Sequence, residues 1–206
     1  MLQFQQAKRK CFAEDIVFYL SKKKILNQEN RAIYEYAIEV ILLNFSILVM
    51  LLLISIFWGQ QLFFVCYVIF FVPLRVFSGG YHAKKSETCF GLSVALYVLA
   101  MMLSEYKWLV YNVIMSVVAI IMMFVIFLCS PIENVNHPLA EMQRRRNKMI
   151  VRIIILSDVA LFVVLYINGT IIASYEIIFI LLNGITFFLG KLENYKQYLN
   201  HVEKQK

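Results

Sequence analysis

Long apolar runs, rich in Ile, Leu, Val and Phe, alternate with shorter polar segments along most of the chain. This pattern predicts membrane-spanning α-helices, because the strands of a membrane β-barrel would show only short segments of alternating hydrophobicity. Six spans are predicted: Val40–Trp58, Leu62–Leu74, Phe90–Leu103, Trp108–Ser130, Met149–Ile167 and Ile171–Leu189. We therefore expect an all-α, polytopic membrane bundle of about six transmembrane segments, which forms a single domain over residues 1–206.

The second and third predicted spans are shorter than the other four. Leu62–Leu74 has 13 residues and Phe90–Leu103 has 14. At about 1.5 Å per residue, each covers only ~20 Å of a hydrocarbon core that is ~30 Å thick. Either the polar residues between the two spans are drawn below the lipid headgroups, or the bilayer thins there.

The ends of the chain are more polar than its middle. Within residues 1–36, four apolar residues recur at helical spacing: Phe12, Ile16, Tyr19 and Leu20. This spacing is typical of an amphipathic helix in the membrane interface, although a solvated helix that leads into the first span explains it equally well. Residues 191–206 are predicted to form a tail outside the membrane.

Composition and charge agree with a membrane protein and predict its orientation. The chain is 61% hydrophobic and 16% charged, and its mean hydropathy is +0.71, so it is more apolar than a soluble domain of this size. Of its 20 Lys and Arg residues, all but Lys107 fall on one side of the predicted spans. By the positive-inside rule, both termini and the loop between the second and third spans face the cytoplasm. The same asymmetry explains the net charge of +7 without a nucleic-acid partner.

Reactive side chains are concentrated in residues 75–90, which read RVFSGGYHAKKSETCF. Cys89 begins the third predicted span, where the positive end of the helix dipole and two nearby lysines favour the thiolate form. A thiolate beside an imidazole is the arrangement of cysteine nucleophiles, so His82 is a candidate base. In one continuous helix the two residues would lie ~10.5 Å apart along the axis. The chain must therefore bend between them, and Gly79 and Gly80 just upstream permit such a bend.

The other cysteines do not suggest further chemistry. Cys66 lies within an apolar run and Cys129 ends one, so both are interpreted as small hydrophobic residues. One His and one Cys leave a tetrahedral metal site two ligands short. We therefore expect no metal and no other cofactor.

Two segments resemble AgrB, the accessory gene regulator protein B family of membrane cysteine endopeptidases. The first comprises Arg75, the run FSGGYHA over residues 77–83, and Cys89; the second is SPIENVNHPL over residues 130–139. His137 departs from the family, in which a basic residue is expected there. The resemblance implies an enzyme of quorum sensing whose partner is a short pro-peptide (AgrD-like) with an amphipathic leader and an acidic tail. Such an enzyme removes the tail and, through an acyl-enzyme thioester, assists closure of a thiolactone or lactone ring.

The resemblance also implies roles for individual residues. Cys89 would be the nucleophile and His82 its base, and Arg75 and Gly80 would be motif positions required for activity. Arg75 binds the acidic tail or the oxyanion in this interpretation, or is an ordinary anchor at a helix end. Glu133 could orient His82, although a Pro-bounded polar loop is usually only a turn. Members of the family are also expected to act as homodimers.

Two other classes of protein stay open. A transporter would place polar residues along several spans, and four residues are candidates for this: Glu39, Asn44, Asp158 and Glu176. A membrane scaffold would not need the Cys89 thiol. Asp158 lies near the middle of the fifth predicted span, where function and structural pairing explain an ionisable residue equally well.

Overall fold

The computed structural model of the protein describes residues 15–19, 21, 31–80, 86–105, 113–132 and 140–204. All regular secondary structure in these ranges is helical. The main helices are α1 (Arg31–Phe57), α2 (Gln61–Ser78), α3 (Ser86–Ser104), α4 (Val113–Cys129), α5 (Glu141–Ile167) and α6 (Ile171–Lys204). Five of them are long and apolar enough to cross a membrane, and α4 is shorter in the described part of the chain. The predicted all-α membrane architecture is confirmed, whereas the count of six spans stays a prediction.

The two spans predicted to be short are longer in the structure. α2 continues past Leu74 to Ser78, and α3 begins at Ser86, ahead of Phe90. With 18 residues, α2 covers ~27 Å, close to the thickness of the hydrocarbon core. The predicted lengths of the two spans were too short because hydropathy marks only the apolar part of a helix. The main-chain hydrogen bonds of the helix continue through the polar residues beyond it. Arg75, predicted to lie in the loop, is therefore part of α2.

The last two helices also extend beyond their apolar runs. α5 begins at Glu141, so Arg144, Arg145, Arg146 and Lys148, predicted to lie in a loop, belong to its first turns. α6 continues to Lys204, so most of the predicted tail is helical. At the amino terminus, residues 15–19 are helical. The rest of the predicted amphipathic helix, including Phe12 and Leu20, lies outside the described residues.

The chain divides into two compact units. The first contains residues 1–59 and 83–97, and the second contains residues 60–82 and 98–206. In the first unit, a hydrogen bond joins the buried hydroxyl groups of Ser55 and Tyr97 and thereby links α1 to α3. This division into compact units does not test whether the chain forms a single domain, so the single domain stays a prediction.

In the second unit, α6 is the central helix. In its most apolar window 72% of the residues are buried, against 33% or less in the other helices that could span a membrane. α2 packs against α5 and α6, and α4 packs against α6. A Cβ atom on Gly184 would lie 2.8 Å from the Met122 side chain, so α4 and α6 approach closely there. This packing holds the end of α2 against α6.

A π-helical turn, Tyr67–Phe71, interrupts α2 and is followed by Pro73. Proline has no N–H group to donate to the carbonyl four residues earlier, so a regular α-helical ladder cannot continue through it. The N–H of Val72 instead bonds to the Tyr67 carbonyl, five residues back. The wider turn lets α2 continue without a break to Ser78.

Candidate functional site

The described part of the candidate site begins where α2 ends. Ser78 is the last helical residue, and Gly79 and Gly80 follow with φ angles of +75° and +149°. Residues with a Cβ atom rarely adopt such angles, so the chain can leave the helix in this direction only with glycine. α2 therefore ends before His82. The predicted bend between His82 and Cys89 falls on residues outside the described part of the chain and stays a prediction.

Side chains and a neighbouring backbone group satisfy the last carbonyl groups at this end of α2. The half-buried Arg75 donates a hydrogen bond from Nη1 to the Gly79 carbonyl at 3.0 Å, and the Ser78 hydroxyl donates to the same oxygen at 3.2 Å. The Ser78 carbonyl accepts a bond of 2.9 Å from the backbone N–H of Ile132. These contacts replace the helical donors that the last turn lacks. We call residues 78–80 with these contacts the glycine turn.

Both glycines of the glycine turn are enclosed by other atoms. A Cβ atom on Gly79 would lie 2.6 Å from the Ile132 carbonyl oxygen. One on Gly80 would lie 1.5 Å from Arg75 Nη1 and 3.1 Å from the Thr186 carbonyl oxygen. At Gly79 an added side chain would meet backbone, whereas at Gly80 it would require the end of the Arg75 side chain to move. α2, the segment after α4, and α6 therefore meet at the glycine turn.

Some residues of the glycine turn were predicted from the sequence and others were not. Arg75 and Gly80 were candidates from the family motif, but the contact between them was not predicted. Gly79 was noted as part of the first motif and as a residue that permits a bend, and Ile132 only as part of the second motif. Thr186 was missed, because nothing in an apolar span marks a backbone carbonyl as a contact. The bond between Ile132 and Ser78 brings the start of the second motif against the first.

Cys89 lies in the first unit, as the fourth residue of α3. Its thiol is free and its side chain is half-buried. The predicted position in the first turn of a helix is confirmed. Such a position brings the sulfur near the positive end of the helix dipole. A half-buried thiol can be reached by a substrate while part of its surface is shielded from water.

Several predicted site residues lie outside the described residues. They are His82, Glu133 and the lysines at positions 84 and 85. The pairing of His82 with Cys89 and the orienting role of Glu133 therefore stay predictions. His137, which departs from the family pattern, lies in the same undescribed segment as Glu133.

The remaining described cysteines differ from each other. Cys66 is buried, in agreement with its interpretation as a small hydrophobic residue. Cys129 is exposed at the end of α4, and its sulfur lies 3.7 Å from Lys191 Nζ. Among the described residues, no group of three or more His, Cys, Asp or Glu side chains is arranged to bind a metal ion.

Two carboxylic acid side chains are buried in the second unit. Asp158 on α5 is 8% exposed, and Glu176 on α6 is fully buried. Neither side-chain oxygen of Glu176 has a hydrogen-bond partner among the described residues. On the same helix, the amide nitrogen of Asn183 donates to the Phe71 carbonyl at 3.5 Å, which links α6 to the π-helical turn of α2. Both acids were predicted as candidates for a transporter, and Asp158 also as an ionisable residue that is costly inside a membrane.

Comparison with known proteins identifies a family for this chain. A model of the AgrB family, described as accessory gene regulator B, matches residues 13–189. The match includes both of the motifs that the sequence analysis identified. No curated protein and no solved structure matched the chain significantly.

Proposed function

The chain belongs to the AgrB family, and on this premise we propose that it is a membrane-embedded cysteine endopeptidase that cleaves a quorum-sensing pro-peptide. Membership supports a role in quorum-sensing peptide processing. The apolar helices agree with the multi-pass membrane protein expected for such a role. The peptidase activity and the cyclisation of the product are the proposed steps.

In the proposed reaction, Cys89 attacks the scissile carbonyl while His82 accepts the thiol proton. The peptide bond breaks, the leaving amine takes a proton from the His82 imidazolium, and the acidic tail departs. The amino-terminal part of the substrate then remains on Cys89 as a thioester. A thiol or hydroxyl group within that part attacks the thioester carbonyl, closes the thiolactone or lactone ring and releases the Cys89 sulfur. Water must be kept out for this capture to exceed hydrolysis.

The position of Cys89 carries the proposal. The residue combines a free, half-buried thiol with a place in the first turn of a helix, within the motif that resembles the family's catalytic segment. Cysteine nucleophiles must be accessible to a substrate, as a half-buried thiol is, whereas fully buried cysteines are inert. Cys66, buried within α2, provides the contrast in the same chain.

The remaining parts of the proposal concern partners and location. The substrate is a short pro-peptide with an amphipathic leader and an acidic tail, and the enzyme acts as a homodimer in the lipid bilayer. Both termini and the segment with His82 face the cytoplasm, since all but one of the basic residues lie on that side of the spans. Glu133 orients the His82 imidazole.

Substitution of the two proposed catalytic residues tests the activity. Cys89→Ala and His82→Ala should abolish cleavage of the cognate pro-peptide, and Cys89→Ser should nearly abolish it because a hydroxyl group is a weaker nucleophile. Cys129→Ala is the matched control, since it removes another accessible thiol, and it should cleave normally. Cleavage by Cys89→Ala at the normal rate would rule out the proposed nucleophile.

The buried acids of the second unit favour transport as the alternative function. Carboxyl groups inside a membrane commonly belong to the pathways of ions and protons in transporters. If the protein is a peptidase alone, Glu176→Gln should leave cleavage unchanged. If it is an exporter, the same substitution should abolish release of the peptide from vesicles, whereas Cys89→Ala should not.

A further inference from the structure

The geometry points to Arg75 as a positioning residue that fixes the direction in which the chain leaves α2 toward His82. In this role Arg75 contacts neither the acidic tail nor the oxyanion. Its guanidinium group occupies the space beside Gly80 that a side chain would need. The consequence for catalysis rests on the proposed function, because it requires that His82 act on Cys89.

The first observation is the hydrogen bond from Arg75 Nη1 to the Gly79 carbonyl, at 3.0 Å. In a continuing helix, this carbonyl would accept a bond from the backbone N–H four residues later. Arg75 comes four residues before Gly79 and provides the donor from the other direction. Its side chain thereby stabilises the carbonyl at the point where the helix ends.

The second observation is the fit between the guanidinium group and Gly80. An added Cβ would lie 1.5 Å from Nη1 and 2.7 Å from Cζ of Arg75, so the two groups cannot share the space. The Thr186 carbonyl oxygen, at 3.1 Å from the same Cβ position, bounds the space on the side of α6. Gly80 is therefore held between the Arg75 side chain and the backbone of α6.

The third observation is that the opposite side of the glycine turn is also fixed. The N–H of Ile132 bonds to the Ser78 carbonyl, and the Ile132 carbonyl lies beside Gly79. Only two residues separate Gly79 from His82. Under the proposed function His82 is the base, so a shift of the glycine turn would displace the start of the chain that leads to it, and a displacement of about 1 Å can reduce a rate ~10²-fold.

A double-mutant cycle on stability tests the contact itself and needs no substrate. Gly80→Ala should lower the unfolding temperature of the full-length protein in detergent, and it should lower it much less in the Arg75→Ala background. Some loss should remain in that background, because the positive φ angle disfavours alanine. Equal losses in both backgrounds, or failure of both Gly80 variants to fold, would show that the guanidinium is not what excludes the side chain and would overturn the proposal.

The rate of Cys89 alkylation by iodoacetamide tests the consequence for catalysis. The probe has no acidic tail and forms no oxyanion, so a residue that only binds substrate should not affect it. In a protein that retains Cys89 as its one cysteine, Arg75→Ala should slow alkylation about tenfold or more, since general-base assistance is worth ~10²–10⁴ in rate. Arg75→Lys should restore part of the rate, because lysine can donate one bond to the Gly79 carbonyl.

His82→Ala in the same protein separates failure of this inference from failure of the proposed function. If His82→Ala slows alkylation and Arg75→Ala does not, the dyad stands and the positioning role of Arg75 is wrong. If His82→Ala leaves alkylation and cleavage unchanged, the proposed function itself fails. The double-mutant cycle then still measures whether the loss of unfolding temperature in Gly80→Ala depends on the Arg75 side chain.

Discussion

The glycine turn and the first turns of α5 were both predicted as basic loops on the cytoplasmic side, yet they are built differently. In the glycine turn, the half-buried Arg75 lies against Gly80 and bonds to the backbone. In α5, basic side chains project from an exposed helix, where Arg145 pairs with Glu141 one turn away. The positions of basic residues therefore predict the side of the membrane, whereas their contacts determine what each residue does.

The largest expected effect concerns the feature that the two regions share, their side of the membrane. Lys84→Cys and Arg145→Cys are introduced separately into a protein without other cysteines. An impermeant maleimide should label both in inside-out vesicles and neither in intact cells, because basic residues remain on the cytoplasmic side. Labelling of either position in intact cells would show that this position faces the outside of the cell, and it would overturn the proposed orientation.

Gly79→Ala should have the next largest effect, because the new side chain would clash with the backbone of Ile132 and disrupt the glycine turn. The new Cβ would lie 2.6 Å from a backbone oxygen that cannot move away as a flexible side chain could. The unfavourable φ angle alone costs about 1–3 kcal/mol. We expect a lower unfolding temperature and loss of cleavage.

Gly91→Ala is the matched control for Gly79→Ala. This glycine lies within α3, two residues after Cys89, and beyond its own helical turns an added Cβ meets no atom of the described residues within 4 Å. Alanine is favoured over glycine in a helix by about 1 kcal/mol. The control should therefore retain cleavage and unfold at the same or a higher temperature. Normal cleavage and stability in Gly79→Ala would contradict the close packing of the glycine turn.

Arg145→Ala should have the smallest effect and tests the other half of the comparison. Its salt bridge with Glu141 spans one helical turn, and both side chains are at least 76% exposed. Solvent screening reduces such a pair to roughly 0.3–0.5 kcal/mol. Unfolding temperature and cleavage rate should both stay close to those of the unmodified protein. A marked loss of cleavage would show that the first turns of α5 take part in the reaction.

The class of fold could be predicted from the sequence, but the burial of individual helices could not. Apolar runs longer than 18 residues are sufficient to indicate membrane helices. They do not distinguish α6, which is mostly buried, from α5, which is mostly exposed, although both are strongly apolar. Lipid tails are as apolar as a protein interior, so hydropathy is similar for a helix that faces lipid and one that faces protein.

The candidate site could be predicted only in part, for a related reason. Cys89 could be named as a candidate because its residue type, its neighbours and its position at the start of a span are local features of the sequence. The contacts of Gly79 with Ile132 and of Gly80 with Thr186 join residues more than 50 positions apart. No local pattern marks them, because the contacting atoms belong to the backbone. The end of α2 was misplaced because Arg75 was taken as the start of a loop.

Intact-mass spectrometry of the protein with its pro-peptide tests the central claim, covalent catalysis by Cys89. After rapid acid quenching, we expect an adduct whose added mass equals the amino-terminal part of the substrate without its acidic tail. Hydroxylamine at neutral pH should remove the adduct, since it cleaves thioesters, and Cys89→Ala should not form it. An adduct that survives hydroxylamine, or that forms equally well in Cys89→Ala, would contradict the account.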